Sequence, residues 1–278
     1  MNYRHAYHAG NFADVVKHAL LSLVLAHLKR KDTPFCVVDT HAGIGRYDLD
    51  SVEAGKTLEY KDGIGRLLDG GDLPEMLADY LAAVRAVNPT WPELTAYPGS
   101  PRIARHMLRP QDRLAVVELH PEDARLLRRE FRNDPQVGVH EQDAYISLKA
   151  LLPPKERRGL VLIDPPFEVK DEFRRIAKGM AEALRRWPNG IYGIWYPIKD
   201  REPVERFLGE LAALGKPCFT AELFRYVPDD PTRLNGTGMV LINPPWQLDE
   251  ALGALLPVLH DRLDGVGGTD LRWINQPS

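Results

Sequence analysis

Cysteine is scarce in this chain. Its two thiols, Cys36 and Cys218, sit in separate apolar runs, outside any CxxC spacing. Buried, reduced side chains are expected there, and neither a disulfide nor a zinc site is. Long apolar stretches are missing too. The run from Ala19 to Leu28 is broken by Ser22 and His27, and nothing approaches a membrane span. The first residues are polar and charged, unlike a signal peptide, so a cytoplasmic protein is expected. There is no excess of charge of one sign: the formal net charge is −3 and the isoelectric point about 6.3. That argues against a protein coating nucleic acid indiscriminately, but leaves room for a local basic surface. Internal repeats and low-complexity segments are absent.

What is present is a globular composition. The 278 residues are 44% hydrophobic, enough for one large α/β domain with an insertion or for two modest domains. Arg102, Arg105 and Arg109 recur at helical spacing, as do Arg125, Arg128, Arg129 and Arg132, and Lys29-Arg30-Lys31 closes the first helical stretch. Each cluster reads first as a solvated helix face and second as a phosphate contact.

The apolar pattern predicts a helix from Asn11 to about Arg30 and a strand over Phe35–Asp39, followed by a tight loop, Thr40–Arg46. From Leu49 to about Pro98 the chain is charged, broken by Gly70-Gly71 and Pro74, and helical in patches (Lys56–Leu68, Leu73–Val87). Residues 49–95 are expected to form an inserted helical subdomain. Residues 1–48 and 96–278 are expected to form the main domain, with 1–33 as its N-terminal segment and helix. Thereafter helices and strands alternate. The predicted strands are Leu114–Glu118, Val137–His140, Leu160–Asp164 and Ile191–Tyr196, then Cys218–Arg225 and Gly238–Asn243 as a hairpin. The helices between and after them are Ser100–Leu108, Pro121–Phe131, Ala144–Leu151, Asp171–Trp187, Pro203–Leu214 and Asp249–Leu263. This predicts a mostly parallel seven-stranded sheet, covered on both faces, with a final antiparallel strand. It is the layout of a Rossmann-like α/β protein of the class I S-adenosylmethionine-dependent methyltransferase type.

The most informative residues are Asp164-Pro165-Pro166-Phe167, at the end of the apolar strand Gly159–Ile163. Enzymes that methylate an exocyclic amino group carry this D/N-P-P-aromatic pattern, and the chemistry explains it. The N6 lone pair of adenine is delocalised into the ring. A carboxylate and a backbone carbonyl accepting from the NH2 group localise that pair, and the carboxylate then takes the proton. Prolines donate no N–H and fix φ, leaving carbonyls free to face the base. An aromatic ring supplies a stacking face for a flipped base. Asp164, Pro165 and Phe167 are the predicted catalytic positions. The plain alternative is a strand that stops at a proline turn.

Asp39–Gly45 follows the first strand as a nucleotide-cofactor loop should, but it lacks the GKS/T of a phosphate loop and the third fingerprint glycine. A ribose-binding carboxylate belongs about 20 residues beyond such a loop. Glu118 is too far from Gly45, yet lies nineteen residues after Gly99. The cofactor loop is therefore expected to be split by the insertion, its second half being Gly99-Ser100, with Ser100 as helix N-cap and Pro101 after it. Asp143, before Ala144, is expected against an adenine, as a helix N-cap, or both. Glu118, Asp143 and Asp164 at successive strand ends point to one crevice. Asn243-Pro244-Pro245-Trp246 repeats the catalytic pattern, but its strand is expected to run the other way and to face away from that crevice. His5, His8, Asp14 and His18 lack metal-ligand spacing, so no metal is expected. Asp14, Lys17 and His18 fall on adjoining positions of the first helix.

Five segments together resemble one family: Tyr3–His18 (YRHAYHAGNFADVVKH), Asp39–Tyr47 (DTHAGIGRY), Tyr97–Pro101 (YPGSP), Glu118–Pro121 (ELHP) and Leu162–Pro166 (LIDPP). They are similar to the RlmJ family of 23S rRNA adenine-N6 methyltransferases, and Trp195-Tyr196-Pro197 and the late Ile-Asn-Pro-Pro-Trp extend the match. The resemblance implies a monomer that uses S-adenosylmethionine to methylate one adenine of 23S rRNA. On matching positions it implies that His18, His41, Ser100, Glu118, Asp143 with Ala144, and Asp164 line the cofactor site. It also implies that Asp164 accepts the proton and that Tyr3, His5 and Lys17 serve substrate engagement or catalysis. Phe167 stands where the family often has tyrosine. The rival readings are a DNA adenine or protein glutamine N-methyltransferase, and a NAD(P)-binding oxidoreductase.

Overall fold

The computed structural model describes residues 4–69 and 71–276; Tyr3 lies outside them. The first long helix, α1 (Phe12–Lys29), starts where Asn11 accepts a hydrogen bond from the Asp14 amide, 3.0 Å, satisfying one of the free donors of its first turn. It is buried nearly all round. Its apolar residues enter the core, while Asp14, Lys17 and His18 form a buried polar stripe at one end.

Strand β1 (Cys36–Asp39) lies between β4 (Arg113–Glu118) and β6 (Gly159–Ile163), parallel to both. β5 (Val137–Glu141) extends the parallel set beyond β4, and β7 (Ile191–Ile198) extends it beyond β6. The unbroken apolar run of β6 is buried along its whole length, as a central parallel strand should be. β9 (Gly236–Ile242) pairs antiparallel with both β7 and β8 (Cys218–Phe224). An eighth strand, β10 (Gly268–Asn275), closes the edge against β8. The sequence pattern predicts seven strands and misses this one. Its residues are almost all half-buried, and Asp270 and Arg272 dilute the apolar signal of an edge strand. Cys36 and Cys218 are buried and free, and burial pushes the Cys218 thiol up to about 11.

A small antiparallel ladder, β2 (Arg46–Asp48) with β3 (Ala96–Pro98), was not expected either. It brings together the two ends of the helical stretch 49–95, and the Gly99 amide donates to the Gly45 carbonyl at 2.8 Å. The two halves of the cofactor loop are thus adjacent. Within 49–95 the chain forms α2 (Val52–Thr57), a π turn (Lys61–Gly65), α3 (Arg66–Asp69) and α4 (Ala78–Ala86). The break before α3 comes from close packing. The Gly10 carbonyl lies 2.0 Å from where a Cβ on Gly63 would stand, and it accepts from the Ile64 amide at 2.9 Å.

The remaining helices are α5 (Ser100–Met107), α6 (Pro121–Glu130), α7 (Ala144–Leu151), α8 (Glu172–Arg186), α9 (Arg201–Ala212) and α10 (Leu248–Arg262). α1, α5, α6 and α10 pack with the 49–95 helices on one face of the sheet, and α7, α8 and α9 on the other. The N-cap of α5 is Gly99. Ser100 is its first helical residue, which corrects the expected cap. Among the described residues no helix is long and apolar enough to cross a membrane.

Candidate active site

The carboxyl ends of β1, β4, β5 and β6 open into a crevice of about 910 Å³, and Glu118, Asp143 and Asp164 all line it. This is where ligands bind in open parallel sheets. His18, His41, Ser100, Ala144, His5 and Lys17 line it as well, as do Pro165 and Phe167. Every predicted site residue within the described range therefore meets in one place.

On the β4–β5 side the acids are held by backbone. One Glu118 oxygen accepts from the Gly43 amide at 2.9 Å, and the other from the His120 amide at 2.8 Å. Gly43 and Gly45 both have positive φ, which lets this loop turn its amides toward the carboxylate. Burial raises the Glu118 carboxyl above its usual range despite these bonds. Each oxygen keeps a free lone pair, so a ribose diol fits the group. Asp143 caps α7 through Oδ1, which accepts from the Tyr145 amide at 2.9 Å and the Ile146 amide at 3.1 Å. Its Oδ2 lies 3.4 Å from Arg175. The N-cap half of the Asp143 expectation is thus visible directly.

On the β6–β7 side the groups are polar and buried together. Lys17 Nζ bridges two carboxylates, Asp164 Oδ2 at 2.5 Å and Asp14 Oδ1 at 2.8 Å. Burial alone would lower its ammonium, but the two carboxylates win and hold it raised. Burial likewise opposes charge on Asp14, and His5 and Lys17 overcome that and keep the carboxyl well below its usual range. Asp14 Oδ2 also meets His5 Nε2 at 2.9 Å and the Gly10 amide at 2.8 Å. His41 and His18 are lowered by burial to about 3, so both rings are neutral at pH 7. The Asp164 amide donates to His41 Nδ1 at 3.3 Å, and His18 Nδ1 meets the Tyr97 hydroxyl at 2.7 Å.

Phe167 takes a positive φ of 51° and packs edge-on against Phe173 and Trp195, centroids 4.9 and 5.7 Å away. Trp195 also lies 5.9 Å from Lys17 Nζ and donates from Nε1 to Thr237 at 2.7 Å. The N-terminal segment spans the mouth. Arg4 pairs with Glu122 at 2.7 Å and Asp123 at 3.3 Å, and His8 meets Glu59 at 2.9 Å.

Three features escape motif reasoning. Asp39, 1% exposed at the end of β1, has one oxygen without a hydrogen-bond partner among the described residues. Burial, with the nearby Asp164 charge, pushes its carboxyl up to about 7. Trp195 was legible only through resemblance, because a lone tryptophan in a strand reads as core. The Tyr145–Glu172 hydrogen bond, 2.7 Å, and the Arg175 guanidinium 4.7 Å above the Tyr145 ring join α7 to α8 and have no local signature. Asn243, by contrast, sits at the opposite edge of the sheet, its amide donating to the Pro188 and Gly190 carbonyls at 3.0 and 2.8 Å.

A mostly parallel sheet covered on both faces, with acids at its carboxyl edge beside a proline-aromatic turn, defines a Rossmann-like class I methyltransferase. The comparisons narrow this. Residues 32–275 match the family model described as Ribosomal RNA large subunit methyltransferase D, RlmJ. Proteins named Ribosomal RNA large subunit methyltransferase J from Escherichia coli and Haemophilus influenzae are 44% and 45% identical over 277 residues, 99% of each chain. A crystal structure of a Legionella pneumophila protein superposes with a TM-score of 0.87 at 36% identity, covering 96% of this chain and 97% of that one. The chain belongs to the RlmJ family of large-subunit ribosomal RNA methyltransferases.

Proposed function

We propose that this protein methylates N6 of an adenine in 23S ribosomal RNA, using S-adenosylmethionine. The observation that carries this reading is the position of Asp164: one crevice holds it between the Glu118 and Asp143 carboxylates on one side and Phe167 and Trp195 on the other. The residues fit the cofactor. Glu118 has the lone pairs for a ribose, and Asp143 suits an adenine amino group. S-adenosylmethionine supplies an electrophilic methyl group when bound.

The protein's own contribution is mainly positioning. Asp164 and the carbonyls of the Pro165-Pro166 turn accept from the adenine NH2, and Asp164 takes the proton released there. Phe167 stacks on the base, with Trp195 beside it. Tyrosine in place of Phe167 would add a hydroxyl that this stacking does not require. Lys17 holds Asp164 and Asp14 at once, so it can yield Asp164 to the adenine amino group and keep its bond to Asp14. His5 fixes Asp14 from the opposite side, and Tyr3 is assigned to substrate engagement on the family resemblance alone. His18, His41, Ser100 and Ala144 line the cofactor half. Residues 49–95 form an inserted helical subdomain that braces the N-terminal segment. The enzyme acts as a cytoplasmic monomer without a metal.

The test is transfer of labelled methyl groups to 23S rRNA from cells lacking this gene, with the modified base mapped. Label on one adenine N6 is expected. Label only in DNA or protein would select a rival substrate.

A further inference from the structure

A second cavity, of about 610 Å³, lies between α7 and α8 and shares Asp143, Tyr145 and Arg175 with the crevice wall. Its remaining lining includes Lys149, Lys178 and Arg185, against one further acid, Glu182. Glu182 is already engaged by Arg185 at 2.7 Å and Arg186 at 3.0 Å. Lys149 and Lys178 are exposed, and among the described residues neither has an ion-pair partner. Ile146, 60% exposed, adds an apolar surface. In a chain of net charge −3, this is a local excess of cation inside a concave groove that runs away from the reacting centre.

The other basic clusters differ. Arg102, Arg105, Arg109 and Arg128 pair with Glu130, Asp134, Asp112 and Glu141 at 3.2, 2.5, 2.8 and 2.7 Å. Lys29-Arg30-Lys31 lies at the far end of α1 from Asp14 and Lys17, where Arg109 and Arg158 cap the carbonyls of that turn. Arg125 and Arg129 on α6, and Arg132 just beyond it, are exposed but line neither cavity.

We propose that the α7–α8 groove is the track for the RNA strand flanking the target adenine, with Lys149 and Lys178 as phosphate contacts. This rests on the reading of the substrate as rRNA. Arg175 to Arg185 spans about 15 Å of helix, room for more than one phosphate of a single strand. Such contacts set affinity and register without reading sequence.

The test compares wild type, K149E/K178E, the milder K149A/K178A and the α6 control R125E/R129E on unmethylated 23S rRNA, across a salt series. The groove variants should raise KM for RNA, by roughly tenfold for K149E/K178E at physiological salt, with kcat within about twofold. The dependence of log(kcat/KM) on log salt should flatten by about 1.4, two single-strand phosphate contacts. Affinity for S-adenosylmethionine, measured by calorimetry, should be unchanged in all of them. Wild-type KM and salt slope in both groove variants would overturn the proposal while leaving the reaction intact. A loss confined to R125E/R129E would overturn it in favour of the other flank. No transfer to RNA by wild type would remove both the proposal and the reading beneath it.

Discussion

Asp164-Pro165-Pro166-Phe167 and Asn243-Pro244-Pro245-Trp246 are the same tetrapeptide pattern at the ends of two buried strands. They differ in almost everything that matters chemically. β6 runs parallel to β1 and delivers Asp164 to the crevice; β9 runs antiparallel to β7 and delivers Asn243 to the other edge. Asp164 accepts from Lys17, whereas Asn243 donates to two carbonyls of the turn before β7. Phe167 is half-buried between Phe173 and Trp195, while Trp246 is 79% exposed. Each turn contains a residue at φ 51°, Phe167 in one and Asn243 in the other. The backbone device is shared in kind, and the surroundings decide whether it becomes a site or a joint. The proposed proton transfer needs a carboxylate, and two carbonyls need the donor that an amide supplies.

That contrast is open to direct attack. Asp164→Ala should remove transfer almost entirely, on the order of 10²- to 10⁴-fold in kcat, while cofactor binding survives. Full single-turnover activity in the variant would break the comparison at its root. Asp39 provides the next largest effect. Below about pH 4 its carboxyl is protonated in folded and unfolded chains alike and adds no penalty. As pH rises from there toward about 7, the unfolded chain releases a proton that the folded one retains, so wild type loses stability and the loss then levels off. Asp39→Asn should gain on wild type across that window, by at most on the order of 4 kcal/mol. Parallel denaturation profiles at pH 4, 5.5 and 8 would contradict the buried, unpartnered oxygen.

Asn243→Asp should leave activity per folded molecule unchanged and cost roughly 1–3 kcal/mol of stability, because a carboxylate cannot donate to the Pro188 and Gly190 carbonyls. A drop in kcat with unchanged stability would mean that the second turn takes part in chemistry after all. Phe167→Ala should weaken productive RNA binding by about 1–3 kcal/mol, the value of a base–aromatic stack, read as kcat/KM. The mirror substitution Trp246→Ala should stay within roughly 0.5 kcal/mol in stability and leave kcat/KM alone. Equal effects of the two aromatic truncations would erase the distinction between the turns.

Legibility from sequence followed the length scale of each signal. The strand Gly159–Ile163 announces itself because it is apolar throughout, whereas β10 alternates with charge and is visible only as a partner of β8. The split cofactor loop was legible from the spacing of Gly99 to Glu118, but the β2–β3 ladder that closes it is three residues a side, too short for any periodicity. The helix cap falls one residue before Ser100, because Gly99 takes the extended cap conformation and Ser100 enters the helix. Asp39 passed as a strand terminus, since nothing in DTHAG tells a solvated carboxylate from a buried one. Lys17 and Asp14 were recognisable as neighbours on one helix face; that Asp164 completes their ion pair was not, because 147 positions separate it from Lys17.

By itself, the sequence determined the order of elements, the residue types at the strand ends and the family, all of which depend on local periodicity and contiguous motifs. Tertiary structure alone decided which of two identical-looking turns faces the crevice, through the direction of β9. It also decided how far burial shifts Asp39, His18 and His41, and that Lys17 bridges two carboxylates. Those are properties of distance and dielectric between residues remote in the chain, and only the packed sheet sets them.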